Sequence, residues 1–187
     1  AEDLNWHAAG KGGAVAAEDP KAVAAGIEML EKGGNAVDAA VATMIVESIM
    51  DYGMFCIGAE VPFMIYDAQK RQVKTMSGLG RAPLSRDDIK WYYENAIPAG
   101  GGIKAVPVPG AVGLFFDSLA VYVTMDFATV AAPALRILDE RGQDWHDELA
   151  GTFRRLIDAE RAQAGTRVEK LQSARARFYS GDIAEEL

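Results

Sequence analysis

Cysteine occurs once, at Cys56, so no disulfide can close within the chain and no small disulfide-stapled domain is in view. With Phe55 before it, Ile57 after it and no cation nearby to favour the thiolate, the thiol reads as a buried apolar group. Histidine occurs twice. Neither His7 nor His146 has a cysteine or second histidine at metal-ligand spacing, which argues against a zinc site. His146 reads as a partly exposed helix residue rather than a catalytic base. Basic residues are in the minority: 19 Lys and Arg against 27 Asp and Glu leave a net charge of -8. That is the wrong balance for gripping a phosphate backbone, so nucleic acid is not an expected partner. No apolar run reaches the roughly 20 residues needed to span a bilayer, so no membrane segment is expected. The longest, Ala36 to Met50, carries Asp38 and Glu47. Residues Ala1 to His7 show neither a basic n-region nor an apolar h-region, so no leader is read there and a cytoplasmic location is expected. A periplasmic protein whose leader had been removed would open the same way. Gly78-Leu79-Gly80 lacks the third glycine of a dinucleotide fingerprint.

Half of the 187 residues are apolar and a quarter charged, the balance of a globular domain large enough for one sizeable core. Ala14-Val15-Ala16-Ala17 reads as a short buried strand after the Lys11-Gly12-Gly13 turn. Asp19-Pro20 forms an N-cap followed by proline at the first helical position. Val23, Ile27 and Leu30 recur at helical spacing and are expected to face the core, until Lys32-Gly33-Gly34 ends that helix. Asn35 caps a second helix, with Asp38 three residues on. Val37, Val41, Met44 and Ile45 give it an apolar face, and Ala36, Ala39, Ala40 and Ala42 keep the rest thin enough for packing on both sides. After an irregular stretch from Asp51 to Gly58, Val61–Tyr66 and Gln72–Met76 read as a hairpin, and Ser77 to Pro83 as a glycine-rich loop. Ser85 and Asp88 start a helix through Trp91 and Tyr93. Pro98 to Pro109 reads as a loop and Gly110 to Tyr122 as a helix. A further helix opens at Asp126 and carries Val130, Leu135 and Leu138. Pro133 is expected to kink or break it, and Arg141-Gly142 to end it. From Trp145 to Arg177 the chain reads as charged, alanine-rich helix.

Among the charges, Arg81 stands out, because it sits where a strand gives way to a loop between Gly80 and Pro83. There it could grip a substrate carboxylate bidentately, or form a structural salt bridge with a nearby acid. Asp139-Glu140-Arg141 and the run from Arg154 to Arg177 read as solvated helix faces tied by i,i+4 pairs. Asp51, Glu60 and Asp67 read as solvated loop positions.

The run Gly12-Gly13-Ala14-Val15-Ala16-Ala17, the helix through Gly26-Ile27-Glu28-Met29-Leu30 and the stretch Gly33-Gly34-Asn35-Ala36-Val37-Asp38-Ala39-Ala40-Val41-Ala42 follow one another closely. Together they resemble the amino-terminal signature of the γ-glutamyltranspeptidase family. Phe63-Met64-Ile65-Tyr66, Gly80-Arg81-Ala82-Pro83, Val106-Pro107-Val108-Pro109-Gly110-Ala111-Val112, Ala132-Pro133-Ala134 and Phe178-Tyr179-Ser180-Gly181-Asp182-Ile183-Ala184 resemble later family segments in the right order. Transpeptidases of the family usually read Asp-Phe-Arg-Glu-x-Ala-Pro in the loop that grips the glutamyl α-carboxylate. Here the aligned residues are Ser77, Gly78, Leu79, Gly80, Arg81, Ala82 and Pro83. Leu79 holds the arginine position, and the nearest cation is Arg81. The Gly-Arg-Ala-Pro form is more similar to relatives that hydrolyse other small acyl amides, such as oxamate amidohydrolase or cephalosporin acylase. The segment Ile57-Gly58-Ala59-Glu60-Val61-Pro62 is also poorer in glycine than in typical members.

The resemblance implies an α+β fold, the αββα sandwich of N-terminal-nucleophile hydrolases, of which residues 1–187 supply the amino-terminal part of the large subunit and not an independent catalytic domain. Within it, 1–125 is expected to be a sheet-and-helix part and 126–187 mainly helical. Family members are made as a precursor that cuts itself. The new amino-terminal threonine of the small-subunit chain attacks the amide, with its own amine as base. The implied activity is hydrolysis of a small carboxylate-bearing amide through an acyl-enzyme, with no catalytic residue in this chain, Arg81 as substrate anchor, and no metal or organic cofactor. A γ-glutamyltransferase or glutathione hydrolase is the alternative enzyme, and a non-catalytic binding subunit the alternative from another class. Association of two heterodimers is left open.

Overall fold

A computed structural model describes residues 7–122, 124–140 and 142–186. The opening residues read for a leader, apart from His7, and Arg141 at the expected end of a helix lie outside the described residues. In chain order the elements are α1 (Pro20–Glu31), α2 (Ala36–Met50), β1 (Val61–Asp67), β2 (Gln72–Gly78), α3 (Arg86–Asn95) and a 3-10 turn at Ile103–Ala105. They continue with α4 (Ala111–Tyr122), α5 (Phe127–Asp139), α6 (His146–Ala162), α7 (Arg167–Ser180) and α8 (Asp182–Glu186). The chain divides into two compact units, Ala1–Cys56 with Phe115–Leu187, and Ile57–Leu114.

In the first unit, Asp19 caps α1 by accepting the Lys21 N–H at 2.7 Å, with Pro20 at the first helical position. The buried side of α1 is not the expected one. Ala22, Ala25, Gly26 and Met29 are buried, whereas Val23, Ile27 and Leu30 are only half-buried. The cause is close approach: a Cβ on Gly26 would lie 2.9 and 3.0 Å from the Val15 methyl groups and closer still to the Thr43 hydroxyl. Small residues therefore take the seam and the branched ones its rim. The helix ends with Gly33 in the left-handed region (φ 85). The Gly34 N–H reaches the Met29 carbonyl at 2.9 Å and the Gly33 N–H the Leu30 carbonyl at 3.0 Å, which satisfies two carbonyls the helix would otherwise leave open.

The capping box of α2 forms as read. The Asn35 side chain accepts the Val37 and Asp38 N–H groups at 2.8 and 3.1 Å, and Asp38 accepts the Asn35 N–H at 2.7 Å. Asp38 also accepts the Thr124 hydroxyl and the Met125 N–H, both at 3.1 Å. It is fully buried, so the cap doubles as a clamp on the segment joining α4 to α5. The small residues let α2 be buried almost all round, with Met44 left half-buried. Phe115, Phe116, Phe127, Phe153, Leu119 and Leu138 fill the core beside it. Phe127 stacks between Phe116 and Phe153 with ring centroids 4.7 and 6.3 Å apart.

Several sequence expectations change here. Ala14–Ala17 forms no strand: a strand needs a ladder partner, and the only sheet among the described residues is β1–β2. Cys56 is exposed, because the turn after α2 leaves it uncovered. His146 is buried rather than partly exposed. Its Nδ1 accepts the Gly142 N–H at 3.2 Å, and its ring packs edge-on against Trp145. Pro133 sits inside an unbroken α5, and Leu135 beside it is half-buried. The helical stretch read from Trp145 to Arg177 forms two helices, because Gly165 turns the chain at φ 116 and Thr166 and Glu169 form a second capping box. The charges along it pair across helices instead of within one. Arg154 reaches Asp139 at 2.6 Å, Arg155 reaches Glu186 at 2.7 Å and Arg177 reaches Asp182 at 2.8 Å. The hydrogen bond from Arg177 holds the Asp182 carboxyl down to about 2. Its contribution to stability is therefore present above the ordinary carboxylate range and is lost as pH falls toward that value.

Glu160, within the run read as solvated, is buried and accepts the Phe127 N–H on both carboxylate oxygens, at 3.2 and 3.1 Å. Burial raises its pKa above the ordinary glutamate value. A carboxyl raised in the folded state stabilises it below the unfolded value, about 4.3, and loses that contribution as pH rises through the folded value. Glu160→Gln keeps an acceptor for Phe127 without the titration. Its stability is expected to fall less than that of the natural protein as pH rises from 4 to 7. Parallel pH–stability curves from urea unfolding would refute this.

In the second unit, β1 and β2 pair antiparallel, with Phe63 opposite Met76, Ile65 opposite Lys74 and Asp67 opposite Gln72. The turn between them is held by Asp67, which accepts the Lys70 N–H at 3.0 Å. Ser77 and Gly78, expected in the loop, pair with Pro62 and Val61, so the loop begins only at Leu79. Ser85 caps α3 by accepting the Asp88 N–H at 3.3 Å. No helix among the described residues is long and apolar enough to cross a membrane.

Candidate functional site

The second unit holds a pocket of about 750 Å³, built where three glycines let backbone segments touch. Gly78 ends β2 against Val61 and Leu114, and Gly110 lies against the Gly78 carbonyl, with no room for a side chain on either. The Ala59 carbonyl accepts the Gly110 and Ala111 N–H groups at 3.2 and 3.0 Å, which fixes the start of α4 beside β1. At Gly80 an added Cβ would lie 2.6 Å from the Val108 carbonyl oxygen, and the Gly80 N–H donates to Glu60 Oε1 at 2.9 Å. Glu60 is therefore a strut for the loop, not a free solvated acid.

The loop so held lines the pocket with Arg81, Ala82, Pro83 and Leu84; α3 and the two residues after it supply Ile89, Tyr92, Tyr93 and Ile97; Lys104 to Val108 complete the lining. The lining is mostly apolar and carries two cations and one carboxylate. Arg81 forms no ion pair among the described residues, so the structural salt bridge weighed for it is not formed. Leu79 is half-exposed beside it. Lys104 lies with its ammonium 3.5 Å from the centroid of the Trp91 ring, and the Tyr92 hydroxyl donates to the Lys104 carbonyl at 2.9 Å. Lys104, Trp91 and Tyr92 were not legible as site residues, since each gains its place from the folding of α3 and its following loop, and Glu60 gains its own from the Gly80 N–H. No cluster of metal-ligating side chains occurs among the described residues. What the arrangement can do is hold an anionic group at Arg81 against an apolar wall.

Comparison with known proteins gives this unit its context. A family model described as Gamma-glutamyltranspeptidase matches residues 22–167. The chain belongs to the γ-glutamyltranspeptidase family. It is 30% identical over 136 residues to the glutathione hydrolase proenzyme of Bacillus subtilis strain 168, covering 70% of this chain and 23% of that protein. It is 34% identical over 145 residues to the Acylase ACY 1 proenzyme of Pseudomonas sp. strain SE83, covering 72% of this chain and 26% of that protein. The chain thus spans about a quarter of the length of the curated relatives it matches. Among solved structures it is similar to LmbA2991T421A, with a TM-score of 0.76 at 25% identity, covering 90% of this chain and 36% of the other. The γ-glutamyltranspeptidase of Helicobacter pylori shares the fold, with a TM-score of 0.72 at 20% identity over 96% of this chain and 60% of the other. The α+β class stands, and the chain shares the N-terminal-nucleophile hydrolase fold of its family. A two-stranded piece of sheet lies among its described residues.

Proposed function

We propose that this chain is the amino-terminal part of the large subunit of a self-processed amide hydrolase, and that it supplies the grip on a small carboxylate-bearing substrate. The observation that carries the reading is Arg81, a guanidinium with no ion pair among the described residues in the wall of a largely apolar pocket. A carboxylate bound there gains a charge-assisted, bidentate contact. Chemistry is assigned to a partner chain that begins with threonine. Its hydroxyl oxygen attacks the amide carbon while its own amine takes the proton. The C–N bond breaks, the leaving nitrogen takes that proton, and water then splits the acyl ester. The relatives named proenzymes support a processed precursor.

A second reading, a γ-glutamyltransferase or glutathione hydrolase, is favoured by the names of the Bacillus relatives. Leu79 at the position usually held by arginine favours the first. Intact masses and amino-terminal sequences of the purified full protein test both: a second chain opening with threonine is expected, and its absence would overturn them. Turnover of a γ-glutamyl anilide, accelerated by a dipeptide acceptor, would move the assignment to the second. Arg81→Ala is expected to lower kcat/KM for a carboxylate-bearing amide by about 10–100-fold, the worth of one charged hydrogen bond. Its effect on a neutral amide is expected to be small, so equal losses on both would remove Arg81 from the role of anchor.

A further inference from the structure

Resting on the reading of the Arg81 pocket as the substrate site, we infer that Lys104 is a second anion-binding residue there. The pocket then selects ligands with two carboxylates joined by an apolar spacer. Lys104 lines the same pocket as Arg81, and neither cation forms an ion pair among the described residues. The one carboxylate of the lining, Glu60, is engaged by the Gly80 N–H at 2.9 Å. The lining thus carries two cations and one engaged acid among otherwise apolar and aromatic residues.

Lys104 is also pre-positioned. Its ammonium rests 3.5 Å from the Trp91 centroid, a contact between the ring quadrupole and the cation that holds the charge without neutralising it. The Tyr92 hydroxyl fixes its carbonyl at 2.9 Å, so both ends of the residue are tied to α3. A lysine held this way loses less side-chain entropy on meeting an anion than a free one would. The same lining includes Leu84, Ile89, Tyr93 and Val106, which suit methylenes or a ring and offer little to a second ammonium. A monoanion can use only one of the cations, so the second carboxylate carries the selection.

The test is calorimetric titration of the full protein with adipate and with hexanoate, which share a chain length and differ by one carboxylate. Adipate is expected to bind about fivefold more tightly, the scale of one exposed ion pair. Lys104→Met should bring the ratio close to one, and Lys104→Arg should restore it. Adipate is also expected to shift Trp91 emission as the ammonium leaves the ring. A ratio near one in the natural protein, or a ratio that Lys104→Met leaves intact, would overturn the inference. A Lys104→Met protein that no longer folds, seen by circular dichroism, passes the decision to the Trp91 signal, whose absence on adipate addition counts against it. The two readings fail separately. Adipate selection without any amide turnover would sink the proposed hydrolase and support the pocket assignment, and amide turnover with no adipate selection does the reverse.

Discussion

Replacing Gly110 with alanine is expected to destabilise the protein by about 3 kcal/mol or more, at the upper end of what forced overpacking costs. The added Cβ would lie 2.5 Å from the carbonyl carbon of Gly78 and 2.9 Å from that of Leu79. These are backbone atoms, so no rotamer change can relieve the contact. Either β2 must separate from the start of α4, breaking the Gly110 and Ala111 bonds to the Ala59 carbonyl, or the loop that carries Arg81 must move. Carboxylate binding should be lost along with stability. Gly100→Ala is the control, because nothing lies within 4 Å of its added Cβ, and it should change stability by less than about 0.5 kcal/mol. Urea unfolding and carboxylate titration of both variants check this. A Gly110→Ala protein with the natural midpoint would show that the two segments do not touch as described.

Asp38→Ala is expected to cost about 3–5 kcal/mol, because one fully buried carboxylate serves three donors. Its removal leaves the Asn35 N–H, the Thr124 hydroxyl and the Met125 N–H without their acceptor. Water cannot replace it at a site of zero exposure without opening the junction of α2 with the segment between α4 and α5. Asp38→Asn keeps one oxygen and the volume, and is expected to lose about half as much. Denaturant unfolding distinguishes the cases. A loss under about 1 kcal/mol for Asp38→Ala would mean that the residue is only a helix cap, the role visible in the sequence.

That difference shows where sequence reading stops. Asn35 and Asp38 announce a capping box through their spacing, which is local. That Asp38 also serves Thr124 and Met125 depends on contacts across 86 and 87 residues, which no local pattern encodes. The same holds for α1: the 3.6-residue period picks out Val23, Ile27 and Leu30 correctly as one face, yet α2 approaches so closely that Gly26 and the alanines take the buried seam. Ala14–Ala17 has the composition of a strand, but composition cannot supply a ladder partner.

The sequence by itself determined the caps of the helices at Asp19, Asn35, Ser85 and Asp126, the hairpin, the family and the singling out of Arg81. Each rests on neighbours in the chain or on a motif read in order. Only the tertiary structure decided that Arg81 shares its pocket with Lys104, that Glu60 is taken up by Gly80, and that the later charges tie different helices together. It also decided that Glu160 and His146 are buried while Cys56 is not. Burial and pairing are set by what packs over a residue, and that covering comes from segments distant in the chain.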